Sequence, residues 1–493
     1  MQDNPVVLTS KGAVRGLSRN GTTRYLNIPY AAAPGGSLRF AAPQPHAPWQ
    51  DERDGTAWGP TAPQPARNLG ALDMSPFFGT WHRGEDYLTA NVWTPDTSDR
   101  KLPVMVFVHG GGFVAGSSRA SLYDGAAFAR DNVVLVTLNY RLGIHGFLDL
   151  PGAPANRGLL DVIAGLRWVR TNIAAFKGDP DNVTLFGQSA GATIVSGALA
   201  TPEAKGLFHR AIVQSGNPLG AFSSEQAARV TSAAASTLGA APHAAAFAGL
   251  TDEQLVDTTA GLSGIDLKTP RQRDPLMGLT AFSLVLDQQP ADVVAAGLAV
   301  DVDLLVGTNS EEGNLYLAPA GKYAASSAAD VDATAALAHP DPVRLVHAYR
   351  AQRPQASHGE LRSAILGDAL FGHGSRQLAE AHAALPAKST HAYEFAWRSN
   401  ALEGQLGATH AVELPFVFKT AGLPALHGPN ALLGTATPPA DLAARMHAAW
   451  VSFAHTGDPG WGQYDLDKRT TMRIDSTWSP VHNPRRRERQ VWA

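Results

Sequence analysis

The sharpest chemical signal in the sequence is the pentapeptide Gly187-Gln188-Ser189-Ala190-Gly191. It follows an apolar run at residues 183–186 and precedes a stretch of helical composition, so the serine is predicted at a sharp turn between a strand and a helix. Such a turn needs glycines because it leaves no room for neighbouring side chains. The pattern is typical of a nucleophilic serine, and its weight comes from this context rather than from the five residues alone.

A second signal is the run His109-Gly110-Gly111-Gly112-Phe113, directly after an apolar stretch. Successive glycines let backbone N–H groups approach a ligand closely. In a hydrolase, Gly111, Gly112 and Ala190 would donate hydrogen bonds to a developing oxyanion. The alternatives are a flexible surface turn or part of a dinucleotide-binding loop. The G-x-G-x-x-G spacing is not met and no P-loop lysine follows, which favours the oxyanion interpretation.

A serine nucleophile needs a base, and the base needs a group that fixes its tautomer. The chain has 17 histidines, and their spacing singles none of them out. The chain order Ser, acid, His restricts the search to residues after Ser189. Glu311 and Glu312 follow the apolar run 304–306, where the carboxyl edge of a sheet would place catalytic loops. Spacing alone leaves these two glutamates equal.

The elements that must position these residues alternate between strand and helix. Short β-branched runs predict buried strands, and stretches of helical composition lie between them. This order predicts an α/β fold with a mostly parallel sheet. Ala-rich helical stretches after Gly220 are predicted to be insertions into one domain. The predicted strands are 104–108, 133–138, 183–186, 211–213 and 304–306, and the predicted helices are 161–169, 190–199, 225–238, 251–260 and 361–385.

Composition excludes several other functions. The 40 Lys plus Arg against 43 Asp plus Glu give a net charge of −3, so no global field attracts nucleic acid or an anionic membrane. Without cysteine, a disulfide, a thiolate metal site or a cysteine nucleophile cannot form. The basic cluster Arg485, Arg486, Arg487 and Arg489 is predicted to be a solvated tail.

The sequence has no obvious membrane or export segment. No apolar run reaches the roughly 18 residues of a membrane span, and residues 1–5 lack a basic region followed by an apolar stretch. We therefore expect a soluble, cytoplasmic protein, with an exported mature form as the alternative.

Ordered landmarks along nearly the whole chain resemble the type-B carboxylesterases, which include cholinesterases, fungal lipases and bacterial para-nitrobenzyl esterases. Many matches in the right order are far more specific than any one motif. Besides the glycine run and the serine turn, they are Ile28-Pro29-Tyr30-Ala31, Leu38-Arg39-Phe40, Glu85-Asp86-Tyr87-Leu88, Asn139-Tyr140-Arg141, Gly158-Leu159-Leu160-Asp161, Phe176-Lys177-Gly178-Asp179-Pro180, Gln214-Ser215-Gly216, Gly407-Ala408-Thr409-His410-Ala411, Glu413-Leu414-Pro415-Phe416 and Thr456-Gly457-Asp458-Pro459.

The resemblance implies an α/β-hydrolase fold in a single domain, 1–493, with helical insertions at about 220–300 and 318–390 forming part of the cap around an active-site gorge. It also implies that the Glu before Gly, Glu312, is the acid and that the histidine of a G-x-x-H segment, His410, is the base. Glu311 then becomes a solvated neighbour. No cofactor and no metal are implied.

The resemblance further implies two structural ion pairs, Arg39 with Glu85 and Arg141 with Asp161. Two departures from the family matter. Tyr87 stands where the family often has a disulfide-bonded cysteine, so the loop 62–83 is not tethered in that way. Gln188 stands where the family often has Glu, which removes a negative charge beside the base.

The loop 62–83 carries Phe77, Phe78 and Trp81, which either pack as core or line the gorge entrance. We predict that Phe78 and Trp81 contact substrate together with Phe113 and Gln188.

The expected function is that of a serine carboxylesterase that hydrolyses neutral, apolar esters through an acyl-enzyme with a Ser-His-Glu triad. Its partner would be a small-molecule ester. The oligomeric state stays open, and a monomer is allowed. The alternatives are an amidase or carbamate hydrolase that uses the same site, and a non-catalytic cholinesterase-like binding module.

Overall fold

A computed structural model of the chain describes residues 4–98, 101–386 and 388–492. Residues 1–3, which belong to the N-terminal segment considered above, lie outside this range. In chain order the strands are β1 Val6–Leu8, β2 Ala13–Arg15, β3 Leu17–Arg19, β4 Thr22–Pro29, β5 Arg53–Asp54, β6 Thr89–Pro95, β7 Leu102–Val108, β8 Val134–Leu138, β9 Gly178–Gln188, β10 Arg210–Gln214, β11 Asp303–Asn309, β12 Thr390–Phe395, β13 Thr471–Ile474 and β14 Ser479–Val481.

The main sheet is eleven-stranded, in the order β14-β13-β12-β11-β10-β9-β7-β8-β6-β4-β3. The strands from β8 through β7 and β9 to β13 pair in parallel. The pairs at both edges are antiparallel. A small second sheet contains β1, β2 and β5. The expectation of a mostly parallel sheet is confirmed, and all five predicted strands lie in it.

The central strands are apolar on both faces because helices cover the sheet on each side. Successive side chains of a strand point to opposite faces. In β7, Val104, Val106 and Val108 belong to one buried cluster, whereas Met105 and Phe107 belong to another. The unbroken apolar run of β7 therefore contributes side chains to both buried clusters.

The helices pack on both faces of this sheet. The predicted helix 190–199 has the expected bounds, but the predicted helix 361–385 is two helices separated by a π-helical segment, Asp368–Gly372. In chain order the helices are α1 Ala126–Arg130, α2 Gly143–Phe147, α3 Arg157–Asn172, α4 Ala190–Leu199, α5 Ser224–Leu238, α6 Ala244–Ala248, α7 Asp252–Gly261, α8 Pro290–Ala295, α9 Asn314–Leu317, α10 Ala328–Ala338, α11 Pro342–Gln352, α12 His358–Gly367, α13 His373–Ala383, α14 Leu414–Val417, α15 Leu442–Thr456 and α16 Arg486–Val491.

The C-terminal arginines do not form a solvated tail. Arg485 pairs with Glu394 at 2.6 Å and Arg489 with Glu380 at 3.5 Å. Val491 of α16 packs in a buried apolar cluster. The C-terminal segment therefore lies against the rest of the protein and is not surrounded by solvent. That prediction is therefore wrong for Arg485 and Arg489.

One of the two expected ion pairs has a different partner. Arg141 binds Asp161 at 2.6 Å, and both side chains are fully buried. Arg39 instead lies 3.2 Å from Asp252 and donates to the carbonyl of Ala248. The segment before α7 lies beside Arg39, so the expected pairing with Glu85 is wrong.

Within the described ranges, no helix has the length and apolar character needed to cross a membrane.

Candidate active site

Ser189 is the single residue between the end of β9 and the start of α4. Its backbone has φ 58° and ψ −126°, a conformation that side chains rarely adopt. A Cβ on Gly191 would lie 2.0 Å from the carbonyl oxygen of Val108, and one on Gly187 would lie 2.6 Å from the carbonyl carbon of Gly191. The two glycines therefore make the turn sterically possible, and the turn presents Ser189 at the carboxyl end of the sheet.

His410 and Glu312 meet at the same edge of the sheet, although 98 positions separate them in the sequence. His410 Nδ1 lies 2.6 Å from Glu312 Oε2, and each side chain is 4% exposed. The other oxygen of Glu312 accepts bonds from the Ser215 hydroxyl at 2.6 Å and from the Asn309 N–H at 2.7 Å. With a proton on Nδ1 bonded to this carboxylate, Nε2 of the neutral imidazole is an acceptor.

The imidazole of His410 is also fixed by aromatic contacts. Its ring stacks on Phe371, with 4.2 Å between the ring centroids and 13° between the planes. The ring of Tyr316 is also near, with its centroid 6.1 Å from that of the imidazole. The ring can therefore move little without breaking the bond to Glu312.

Gln188 lines the cavity and also contacts His410. Its Nε2 lies 3.1 Å from Nε2 of His410, and its side chain is buried. Because an unprotonated imidazole nitrogen can only accept, the amide of Gln188 donates this bond. The Ser189 hydroxyl has no hydrogen-bond partner within the described ranges. In this conformation Gln188, and not Ser189, occupies the acceptor atom of His410.

The glycine run lies directly against the serine turn, since a Cβ on Gly110 would lie 3.0 Å from Cβ of Ser189. Gly111 and Gly112 have φ values of +118° and +62°, and a Cβ on Gly111 would lie 1.9 Å from the carbonyl oxygen of Ala115. Neither N–H group donates to an acceptor in the described chain. The Ala190 N–H, in the first turn of α4, has no acceptor within its own helix. Three backbone donors thus remain available beside Ser189.

Ser189, His410 and the glycine run border one cavity of about 820 Å³, counted to its open mouth. Its walls are mostly apolar. Inserted segments contribute to them on two sides, through Leu276 and Leu279 and through Leu370 and Phe371. The other apolar walls come from Leu69, Met74, Phe77, Phe78, Phe113 and Leu315.

The four predicted substrate contacts are placed differently. Phe78, Phe113 and Gln188 line the cavity. Trp81 is not among the described residues that line it, because its ring lies against the guanidinium of Arg83, 4.2 Å from the ring centroid. Because Trp81 is outside the cavity lining, a direct contact of Trp81 with substrate is not supported.

The loop 62–83 is held by hydrogen bonds instead of a disulfide. The side-chain amide of Gln64 donates to the Gly116 carbonyl at 3.0 Å and accepts from the Gly116 N–H at 2.8 Å. Further along the loop, Arg67 Nη1 donates to the carbonyl of Gly111 at 2.8 Å. The loop is thereby attached directly to the glycine run.

A second carboxylate is buried behind the site. Glu413 accepts bonds from the side-chain amides of Asn309 at 2.6 Å and Gln214 at 3.2 Å. Burial, reinforced by the negative charge of Glu312, raises the pKa of Glu413 to about 7. This carboxyl therefore takes up a proton much more readily than an exposed glutamate.

Glu311 and Glu312 point in different directions from the same turn. Glu311 accepts a bond from the Ala408 N–H at 2.8 Å and pairs with Arg398 at 2.7 Å. Its side chain is 16% exposed, so the prediction of a solvated carboxylate is wrong. Both acids fix the segment that carries His410, but only Glu312 touches the imidazole.

Sequence reasoning missed several residues of the site. Ser215 belongs to the Gln214-Ser215-Gly216 landmark, but nothing in the sequence indicated that its hydroxyl donates to Glu312. Arg67 and Phe371 lie in segments without a motif, and only the three-dimensional structure brings them to Ser189. No group of three or more His, Asp or Glu side chains in the described ranges is arranged to hold a metal ion.

Comparisons with known proteins show the family of the chain. Residues 3–492 match the model of the carboxylesterase family. The chain is 35% identical to the para-nitrobenzyl esterase of Bacillus subtilis, covering 98% of each chain. It is 33% identical to the phenmedipham hydrolase of Pseudarthrobacter oxydans, covering 96% of this chain and 94% of that one.

Solved structures give the same result. A para-nitrobenzyl esterase structure superposes with a TM-score of 0.84 at 33% identity, covering 99% of both chains. The carboxylesterase EST55 of Geobacillus stearothermophilus gives 0.85 at 32% identity, covering 99% of this chain and all of that one. The chain therefore belongs to the carboxylesterase family and has the α/β-hydrolase fold. It is a serine carboxylesterase, a hydrolase of carboxylic esters.

Proposed function

We propose that Ser189 is the nucleophile, His410 the general base and Glu312 the acid that orients it. The observation that carries this proposal is the 2.6 Å contact between His410 Nδ1 and Glu312 Oε2, in a cavity that also contains Ser189. The Glu312 carboxylate fixes the tautomer in which Nε2 is unprotonated, so that Nε2 can take the serine proton once Gln188 releases it, and the carboxylate stabilises the imidazolium that forms.

In the first half-reaction, Ser189 Oγ bonds to the ester carbonyl carbon while its proton passes to His410 Nε2. The N–H groups of Gly111, Gly112 and Ala190 stabilise the negative oxygen of the tetrahedral intermediate. The bond from carbon to the alcohol oxygen then breaks, and His410 returns the proton to the departing alcohol. In the second half-reaction, water attacks the acyl-enzyme by the same route and releases the acid. Ester and water thus become acid and alcohol.

The proposed substrates are small esters with apolar acyl or alcohol groups. Aromatic and aliphatic walls such as Phe78, Phe113 and Leu279 support this class, because burial of apolar surface contributes about 25 cal/mol per Å². Gln188 carries no charge, so it offers nothing to attract a cationic substrate. We also propose that the insertions 220–300 and 318–390 form part of a cap on one domain, since residues of both line the cavity.

The test combines turnover with labelling. The protein is mixed with para-nitrophenyl butyrate and, separately, with a fluorophosphonate probe, and the labelled residue is identified by peptide mapping. We expect hydrolysis and a label on Ser189, both lost in Ser189→Ala. Labelling at another residue would refute the assignment, and a protein that neither reacts nor hydrolyses esters would favour a binding module.

The amidase or carbamate alternative shares the site. It is tested by comparing kcat/KM for a phenyl ester with that for the matching anilide and carbamate, where we expect the ester to be fastest. The cytoplasmic location stays a prediction, to be tested by cell fractionation.

A further inference from the structure

The wall of the active-site cavity contains a fixed positive charge. Among the described side chains that line the cavity, Arg67 is the one arginine, and no lysine, aspartate or glutamate is found there. No carboxylate of the described chain lies within ion-pair distance of its guanidinium. The Arg67 side chain is half-buried, so in largely apolar surroundings it loses part of its hydration without a counter-ion to replace it.

Contacts with the protein satisfy only a small part of the guanidinium. Nη1 donates to the Gly111 carbonyl at 2.8 Å, and the group lies 5.8 Å from the centre of the Phe78 ring. An arginine has five N–H donors, and Arg67 has no other side-chain hydrogen bond in the described ranges. The remaining donors are therefore available to a molecule that enters the cavity. Burial lowers the pKa of Arg67 below its ordinary value, yet an arginine stays protonated at neutral pH.

We propose that Arg67 binds a carboxylate of the substrate, so that the enzyme prefers esters with a second, ionised carboxyl group over neutral esters of the same size. The planar fork of a guanidinium matches the two oxygens of a carboxylate. The inference rests on the proposed function, which places the ester carbonyl at Ser189. It adds a specific polar contact to the apolar walls and departs from the expectation of strictly neutral substrates.

The position of Arg67 limits where this carboxylate lies. The guanidinium touches Gly111 and would lie 2.7 Å from a Cβ on Gly112. The neighbouring Gly110 is so close to the serine turn that its Cβ would lie 3.0 Å from Cβ of Ser189. The carboxylate would therefore lie on the side of the cavity where the glycine run meets Ser189, as in half-esters of dicarboxylic acids or in acyl esters of hydroxybenzoic acids.

The experiment compares matched substrate pairs. One pair carries the charge on the alcohol side, 4-acetoxybenzoate against 4-acetoxyacetophenone, and the other on the acyl side, 4-nitrophenyl hydrogen adipate against 4-nitrophenyl heptanoate. The measured quantity is the ratio of kcat/KM for the anionic ester to that for the neutral ester. It is determined for the wild type, Arg67→Met and Arg67→Lys, with the exposed Arg130→Met as the control for net charge.

We expect Arg67→Met to lower this ratio by about tenfold or more for at least one pair, because hydrogen bonds to charged groups are strong. Arg67→Lys keeps the positive charge but loses the planar guanidinium, so its ratio should lie between those of the wild type and Arg67→Met. Arg130→Met should leave the ratio unchanged. The proposal is overturned if Arg67→Met has the same ratio as the wild type for both pairs. This includes the case in which kcat/KM falls equally for both members of each pair, which would mean that Arg67 only supports the glycine run.

If the Arg67 variants do not fold, a measurement on the wild type alone tests the proposal. Glutarate and glutaramide are compared as competitive inhibitors of para-nitrophenyl butyrate hydrolysis. Tighter inhibition by the dianion, weakening as salt is added, is expected, and equal inhibition by both overturns the proposal. A wild type that hydrolyses no ester would refute the proposed function instead, so the two failures are distinguishable.

Discussion

The side-chain amide of Gln188 lies 3.1 Å from Nε2 of His410. This nitrogen is the atom to which the proposed mechanism transfers the serine proton. Gln188 therefore occupies the acceptor atom of His410 that the proposed mechanism requires, and in that mechanism Gln188 releases this atom when substrate binds.

This contact makes the pH profile sensitive to residue 188. In Gln188→Glu, a carboxylate beside the imidazole favours its protonated form. The acidic limb of kcat/KM against pH should move upward by roughly one unit. Gln188→Met removes the amide without adding a charge and should move the limb upward less than Gln188→Glu does. Equal profiles for the Glu and Met variants would contradict the prediction.

Removing the nucleophile or the base should abolish most turnover. Ser189→Ala and His410→Ala should each lower kcat by about a million-fold, as expected for groups that act as a unit. Steady-state rates on para-nitrophenyl butyrate measure the loss, with circular dichroism to confirm folding. His347→Ala, on the exposed surface of α11, is the matched control. A His410→Ala enzyme that retained more than about a tenth of kcat would move the base to another histidine.

The two neighbouring glutamates should behave differently. Glu312→Gln should lower kcat by about a thousand-fold or more, because an amide no longer fixes the productive tautomer of His410. Glu311→Gln should lower kcat less than about tenfold and mainly reduce the melting temperature, because it weakens the pair with Arg398. Parallel kinetic and thermal measurements decide this, and the opposite ranking would exchange the two roles.

Glu413 should make stability fall as pH rises. Its pKa of about 7 in the folded protein is above the ordinary 4.5. Between these values the folded state holds a proton that the unfolded state has lost, so the free energy of unfolding decreases with increasing pH. The contribution is up to about 3 kcal/mol. The free energy of unfolding is measured with urea at pH 5 and pH 8. The difference between the two pH values should be smaller for Glu413→Gln than for the wild type, and equal differences would show that Glu413 does not cause the pH dependence.

Phe78 and Trp81 of the loop 62–83 allow a test of the preferred substrate shape. Phe78 lines the cavity, whereas Trp81 lies against Arg83. Phe78→Ala should change the kcat/KM ratio between an acetate and a bulky aryl ester by several-fold, since contacts of one or two methylene groups are worth about 1–3 kcal/mol. Trp81→Ala should leave that ratio within about twofold. A selectivity change confined to Trp81→Ala would contradict the observed placement.

The strands and the serine turn could be predicted because their signals are local. A β-branched run such as 183–186 and the glycines around Ser189 constrain the backbone over a few residues. The choice between Glu311 and Glu312 is not local, because one turn directs one side chain to His410 and the other to Arg398. Family resemblance selected Glu312, and spacing alone could not.

The predictions that failed depended on contacts between distant segments. The partner of Arg39 comes from the start of α7, more than two hundred residues away. The contact of Trp81 with Arg83 is near in sequence, but whether the indole faces inward depends on how the whole loop lies on the glycine run. No periodic pattern encodes such docking, so Arg67 carried no signal until the loop was seen in place.

The paired hydrogen bonds between the Gln64 side chain and the Gly116 backbone have a chemical consequence for the entrance loop. An amide that donates to and accepts from the backbone of one residue holds the loop without thiols, so thiol–disulfide exchange cannot open or rearrange this attachment. The attachment of Gln64 to Gly116 is therefore the same in reducing and in thiol-oxidising surroundings.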